Sequence, residues 1–278
     1  MIRAIWNGIK MHINVEDVLG EEIAPGVVER VLMRPEEGTP PGLGARHYTL
    51  TNGGTVVFDE PMTEFQHYII SGHVVGAHQD TAIFMPAGNH NKAQQIQGKC
   101  IHRFRQCGEG ETRIITLSHR VPRPAFRWAK SRRINLFEVT SPHAERWGAT
   151  QLFREEEHAI MGALRMHGID VQTHPAHFHH PKHRNPEGRL SEVMYFLRGH
   201  GEAIAEGERK EVRPGSFLYS GMRRGEFGGV HGIYNPTDDI LQYFVVEIIE
   251  QDKSWTGRGF HTESLDGGYI FDQDIPEG

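Results

Sequence analysis

Cysteine is nearly absent: Cys100 and Cys107 are the only two in 278 residues. Two cysteines cannot form the disulfide framework of a small secreted domain, and a zinc ribbon would need a second pair. His102 lies between them in CIHRFRQC, yet strand residues kept reduced are the simpler reading. Long apolar runs are missing too. None approaches the about 20 residues of a membrane-spanning helix, and the opening MIRAIWNGIKMHINVEDV has no apolar signal-peptide core. A cytoplasmic protein is the default expectation. Charge of one sign is equally scarce. The formal net charge is −6 with both signs interspersed, so neither a nucleic-acid nor an anionic-membrane partner is expected. The basic cluster RWAKSRR, Arg127 to Arg133, reads as a solvated connector. There is no serine nucleophile elbow, phosphate loop or dinucleotide fingerprint. The glycines of GHGEAIAEG run from strand to strand, the wrong context for a Rossmann turn.

Turn formers are plentiful: 32 glycines and 15 prolines beside 37% hydrophobic residues, a mix that suits an all-β chain long enough to bury a real core. HYTLTNGGTVVF, EFQHYIISGHVVGA, TAIFMPAGNH, KCIHRFRQ and TRIITLSHR are short strand-like stretches separated by Gly, Pro, Asn and Asp. No helical periodicity intervenes, which is the layout of an antiparallel sandwich or small barrel. The organisation reads as an N-terminal arm over 1–27, a first β region over 28–122, a connector over 123–148, a second β region over 149–250 and a polar tail over 251–278. Antiparallel sheets leave edges to be covered. The arm and tail are long enough to reach a neighbour, so a homodimer is expected.

Histidine is the abundant chemical residue, 19 in all, with five between His174 and His183. Residues i and i+2 of a strand share a face, so His177 and His179 are expected to converge on one point. Glu192 opens the apolar run EVMYFLRG ending at Gly199, and His231 follows in HGIYNPTDD. Imidazoles plus a carboxylate suit Zn, Fe, Mn or Ni, and the carboxylate argues against Cu(I). His180 and His183 form an alternative pair, with His180 of opposite parity. His174, held extended by Pro175, is a pocket-lining candidate. In the first half Glu64, His67 and His90 are scattered, and His67 reads as a packed strand residue rather than a ligand.

Two patterns carry a resemblance. PAHFHHP with Glu192, six residues and Gly199, then RPGSFLYSG with His231, three residues and Asn235, resemble the two motifs of the cupin superfamily over roughly residues 28 to 250. The resemblance implies an all-β bicupin of two tandem double-stranded β-helix (jelly-roll) barrels, the first without a metal motif. It also implies one divalent metal ion (Fe, Mn, Ni or Zn) on His177, His179, Glu192 and His231. Two loops depart from the pattern: the spacer PKHRNPEGRLS is long, and GMRRGEFGGV replaces the usual proline-glycine pair. The implied function is a metal-dependent enzyme acting on a small oxygen-rich molecule. Three His and one Glu are commonest in oxygenases and decarboxylases. Met194 and Phe196, sharing the face of Glu192, would form an apolar wall favouring dioxygen chemistry. Arg165, Gln172 and Tyr243 are candidate polar partners. The alternatives are a sugar-acid isomerase, lyase or amidohydrolase using the metal as Lewis acid, and a non-catalytic small-ligand-binding bicupin. Ureidoglycine aminohydrolases place a Glu ahead of their histidines and a later Gln, which this chain does not match.

Overall fold

The computed structural model describes residues 11–36, 42–61, 63–85, 102–120, 131–139, 149–152, 164–166, 170–178, 183–184, 190–205, 208–220, 231–250 and 270–271. For some of these, His183 and His231 among them, it describes the backbone alone. The first strands are β1 (Met11–Asn14), β2 (Glu21–Ala24), β3 (Val27–Met33), β4 (Leu43–Leu50), β5 (Thr55–Phe58) and β6 (Thr63–Ser71). Then come β7 (His73–Val74), β8 (Ala77–His78), β9 (Thr81–Met85), β10 (His102–Arg105), β11 (Thr112–Arg120) and β12 (Arg132–Asn135). The second half holds β13 (Ala149–Gln151), β14 (Leu164–Met166), β15 (Asp170–His174), β16 (His183–Arg184), β17 (Leu190–Arg198) and β18 (Gly201–Ala205). It ends with β19 (Glu208–Val212), β20 (Ser216–Ser220), β21 (His231–Tyr234), β22 (Leu241–Glu250) and β23 (Ile270–Phe271). No α-helix occurs among the described residues, and no helix is long and apolar enough to cross a membrane.

The chain divides into two compact units: Val15–Ser141 with Thr150–Gly162, and Ala163–Gly278 with Met1–Asn14 and Pro142–Ala149. In the N-terminal unit a sheet ordered β12-β9-β6-β11-β4-β3-β2 shares its core with the pair β5 and β10. Period two decides what enters that core: along β5, Val56 and Phe58 are buried while Val57 is exposed. In the C-terminal unit a sheet ordered β1-β20-β17-β22-β15-β13, with β14 also on β22, packs on a sheet ordered β19-β18-β21-β16-β23. Met194, Phe196, Leu218, Leu241, Tyr243 and Val245 of the first meet Ala203, Ala205, Val212 and Ile233 of the second. The N-terminal arm supplies an edge here. β1 pairs with β20 from Met11↔Tyr219 to Asn14↔Ser216, and Asn14 donates to the Pro214 carbonyl.

The two units repeat one plan. β6 ends at Gly72 with φ +76°, and β17 ends at Gly199 with φ +78°. Both are left-handed positions that favour glycine. A Cβ on Gly199 would also strike the Ile240 carbonyl oxygen. Gly53 is equally left-handed at φ +74°, but nothing lies within 4 Å of its Cβ direction. Gly199→Ala is therefore expected to cost about 3 kcal/mol or more, and Gly53→Ala about 1 kcal/mol. Urea midpoints of the two variants check this, and equal shifts would refute the clash.

Candidate metal centre

Glu192 is the anchor of the candidate site. It stands third on β17, two and four residues before Met194 and Phe196, so all three share the barrel-facing side. It is 3% exposed, Met194 8% and Phe196 0%, and the expected apolar wall beside a carboxylate is present. Its backbone N–H donates to the Ser220 Oγ at 3.2 Å. Burying a carboxylate this deeply requires a compensating cation or proton.

Facing that wall across the core is the small sheet. β16 and β21 meet in register at His183↔His231, and β18 sets Ala205 opposite His231. Directly opposed residues of an antiparallel pair share a face, and Ala205 belongs to the buried core. Positions 183 and 231 therefore occupy barrel-facing register. Only the backbone of the two histidines is described.

The strand parity expected to carry His177 inward does not hold. β15 stops at His174, and a turn follows in which His177 has φ +56°. Its ring is exposed, and its Nε2 lies 2.9 Å from Asp238 Oδ1 on the outside. The structure thus brings Glu192 and position 231 to the barrel face and leaves His177 on the turn before them. His179 and His180 lie outside the described residues. His183, the alternative candidate, is the one the register sets opposite His231. The cue available earlier was its place in the spacer, which has to supply a strand beside β21. Among the described residues, no group of three or more His, Cys, Asp and Glu side chains stands ready to hold a metal.

That turn is braced from the second motif. Asn235 Nδ2 donates to the carbonyls of Pro175 and Asp239 at 2.8 and 2.7 Å and reaches that of His174 at 3.3 Å. Its backbone N–H donates to the Phe178 carbonyl at 2.9 Å. The asparagine four residues after His231 therefore fixes the chain that leads into the histidine-rich tract.

A polar group missed as a unit in the sequence lies elsewhere on the same wall. Tyr243 and Gln172 are opposed in register, and the Tyr243 hydroxyl donates to Gln172 Oε1 at 2.6 Å. His174 Nε2 lies 3.3 Å from that hydroxyl and, with its proton on that nitrogen, donates to it. Burial, then the charge of Glu192, pushes the Tyr243 phenol well above its usual range. Burial holds the His174 ring down to about 4. Both are neutral at physiological pH, a hydroxyl and an imidazole held ready inside the barrel. Arg165 pairs in β14 with Ile249, and its side chain is not described.

The N-terminal unit shows what replaces the site there. Counting back seven residues from each terminal glycine puts Phe65 where the other unit has Glu192. The ladders agree, with Phe65↔Ser118 and His67↔Thr116 against Glu192↔Glu247 and Met194↔Val245. On the other side, His102↔Phe58 stands for His231↔His183. Gln106, four residues after His102, binds Gly53 N–H at 2.7 Å and the carbonyl of Gly108 at 2.9 Å, as Asn235 braces its own turn. Two of the three positions thus carry phenyl rings, which offer no donor.

No family model matches the chain, and no curated protein sequence does. Solved structures do. Ylba from E. coli superposes with a TM-score of 0.64 at 15% identity, covering 90% of this chain and 94% of that one. An oxalate decarboxylase from Bacillus subtilis gives 0.58 at 11%, covering 91% and 78%. The 7S globulin of Momordica charantia gives 0.54 at 10%, covering 87% and 84%. The architecture is therefore that of the tandem jelly-roll proteins. Within that class the likeness is to the cupin fold. At these identities the likeness shows the fold alone, and its neighbours include both a decarboxylase and a globulin.

Proposed function

We propose that the chain is a metal-dependent cupin enzyme acting on a small oxygen-rich molecule inside the C-terminal barrel. One observation carries this reading: His183 stands opposite His231 in barrel-facing register, across the core from the sheet that presents Glu192. Two imidazoles and a carboxylate suit borderline divalent ions, so the donor set fits Fe, Mn, Ni or Zn. Glu192, His231 and His183 would hold the ion, with His179 as the remaining candidate from the tract. When bound, such an ion supplies a Lewis-acid centre or, as iron or manganese, a redox one.

The chain's own residues do the rest. Met194 and Phe196 exclude water beside Glu192, and Tyr243 keeps its hydroxyl proton with Gln172 and His174 fixing its direction. The apolar wall favours oxidative, dioxygenase- or decarboxylase-type chemistry. The Gln172–Tyr243–His174 group favours a second reading, Lewis-acid isomerase, lyase or amidohydrolase chemistry on a polar substrate, because several fixed polar partners suit a hydroxylated ligand.

The test is to load apoprotein anaerobically with Fe(II), Mn(II), Ni(II) or Zn(II) and screen small phenols, keto acids and sugar acids with an oxygen electrode. Oxygen uptake with Fe(II) or Mn(II) that Glu192→Gln abolishes is the expected result. Turnover without oxygen and equally fast with Zn(II) would sink the oxidative reading in favour of the Lewis-acid one. Ligand binding with no turnover under any metal would leave a binding protein.

A further inference from the structure

The N-terminal barrel holds a second set of donors that the proposed enzyme does not use. His67 on β6 and His102 on β10 point their Nε2 atoms at each other, 2.7 Å apart. The other nitrogen of His67, Nδ1, lies 2.9 Å from Thr116 Oγ1. Aromatic rings wall the pair. Phe58 stacks on His102 with centroids 4.8 Å apart, Phe65 stacks on His67 at 5.7 Å, and Phe104 stands edge-on to His67 at 4.8 Å. His67 is fully buried, whereas His102 is only partly so.

We propose that His67 and His102 form a bis-imidazole site for a monovalent soft cation, copper(I), separate from the divalent centre of the C-terminal barrel. Both sites start from the same strand position, His231 in one unit and His102 in the other, but the partners differ. Where the C-terminal barrel offers Glu192 and position 183, this one has Phe65 and Phe58. The carboxylate position is thus occupied by an apolar ring, and the second imidazole comes from one rung deeper, where the other barrel has Met194.

Charge and coordination number then choose the ion. The cost of moving an ion into a low-dielectric site rises with the square of its charge, and a divalent ion here would lack the carboxylate that offsets it. Zinc also wants four ligands, while copper(I) is content with two nitrogens. The Thr116 hydroxyl accepts from His67 Nδ1–H once Nε2 binds the ion, the outer contact that fixes a ligating imidazole. Burial holds His67 in its neutral, ligating form. Admitting an ion at metal–nitrogen distances of about 2 Å requires His102, the less buried ring, to withdraw by about an ångström. No net proton is lost on binding: the proton that bridges the two Nε2 atoms in the free protein moves to Nδ1 of its own ring, which leaves both Nε2 lone pairs to the ion.

The experiment uses full-length protein carrying Cys100→Ser and Cys107→Ser, so that thiols do not compete, titrated anaerobically with copper(I) against a chromophoric chelator. One tightly held equivalent is expected, weakened at least 100-fold by His67→Phe or His102→Phe and unchanged by Glu192→Gln. Binding that survives the double variant, or that an equal concentration of Zn(II) displaces, would overturn the proposal. Where a variant does not fold, the wild-type ring decides. Copper(I) is diamagnetic, so the Nε2 resonances of two buried histidines should shift in ¹⁵N spectra, and their staying put overturns the site. Because the two barrels are read separately, failure here leaves the Glu192 centre untouched, and the reverse also holds.

Discussion

His231→Ala and His183→Ala are each expected to weaken divalent metal binding at least ~100-fold, and His177→Ala to leave it unchanged; lost outer contacts alone cost 10- to 100-fold. The prediction follows from register rather than from the histidine count. Position 183 is paired with position 231 on the barrel-facing side of the small sheet, and Glu192 is buried on the wall across the core. His177 sits on a left-handed turn with its ring exposed beside Asp238. Metal content after dialysis against a chelator, measured beside a thermal melt to exclude unfolding, separates the variants. Glu192→Gln, which keeps the volume and removes the charge, should behave like His231→Ala. A His177→Ala protein without metal beside metal-replete His183→Ala and His231→Ala proteins would return the site to the histidines nearest the turn. His179→Ala decides whether the tract supplies a further ligand.

The two-barrel plan, the strand that carries Glu192 and the strand that begins at His231 were legible because each rests on local signals. An apolar run ending at a glycine, an HxxxN pair and strands separated by turn residues can all be read within about ten positions. Parity was the weak step. It assumed that the strand ran through His179, whereas β15 ends at His174, just before Pro175, and the chain turns at His177. A single-residue offset had the same effect in the first half. Laying EFQHYIISG over EVMYFLRG from their first residues sets Glu64 against Glu192, but counting back from the glycines gives Phe65. A shift of one residue moves a side chain to the opposite face of the sheet. Glu64 is accordingly buried beside Phe65 but on the other face of β6, opposite His119.

Long-range pairing was the other gap. Nothing local tells that β1, at the start of the chain, closes the edge of the sheet formed by β20, some two hundred residues later. The His67–His102 pair is hidden for the same reason: its members are 35 residues apart and are joined only by the barrel. In the sequence His102 lies between two cysteines, whereas its partner stands on another strand.

Acid is expected to unfold the N-terminal unit cooperatively near pH 5, while the protein is stable at pH 7.5. Three of its histidines are buried and held neutral. Burial, then the guanidinium groups of Arg30 and Arg113, takes His47 down to about 3. Burial alone takes His119 to about 4. Burial and the neighbouring His102 take His67 well below the usual histidine range. In the unfolded chain each returns to 6.5. Below pH 6.5 the unfolded state therefore binds protons that the folded state refuses, so stability is full above 6.5 and falls as pH drops toward 4 and then 3. At pH 5 His47 and His119 each cost about 2 kcal/mol, and His67 acts in the same direction, against the 5–15 kcal/mol that holds a typical domain together. His47→Leu should remove one proton from this linkage, flattening the dependence by about 1.4 kcal/mol per pH unit, even if it also shifts stability at neutral pH. Urea midpoints of wild type and variant at pH 7.5, 6 and 5 read the slope directly. A midpoint that does not move with pH would mean that these rings are protonated in the fold, and an unchanged slope in His47→Leu would clear that residue of any part in it.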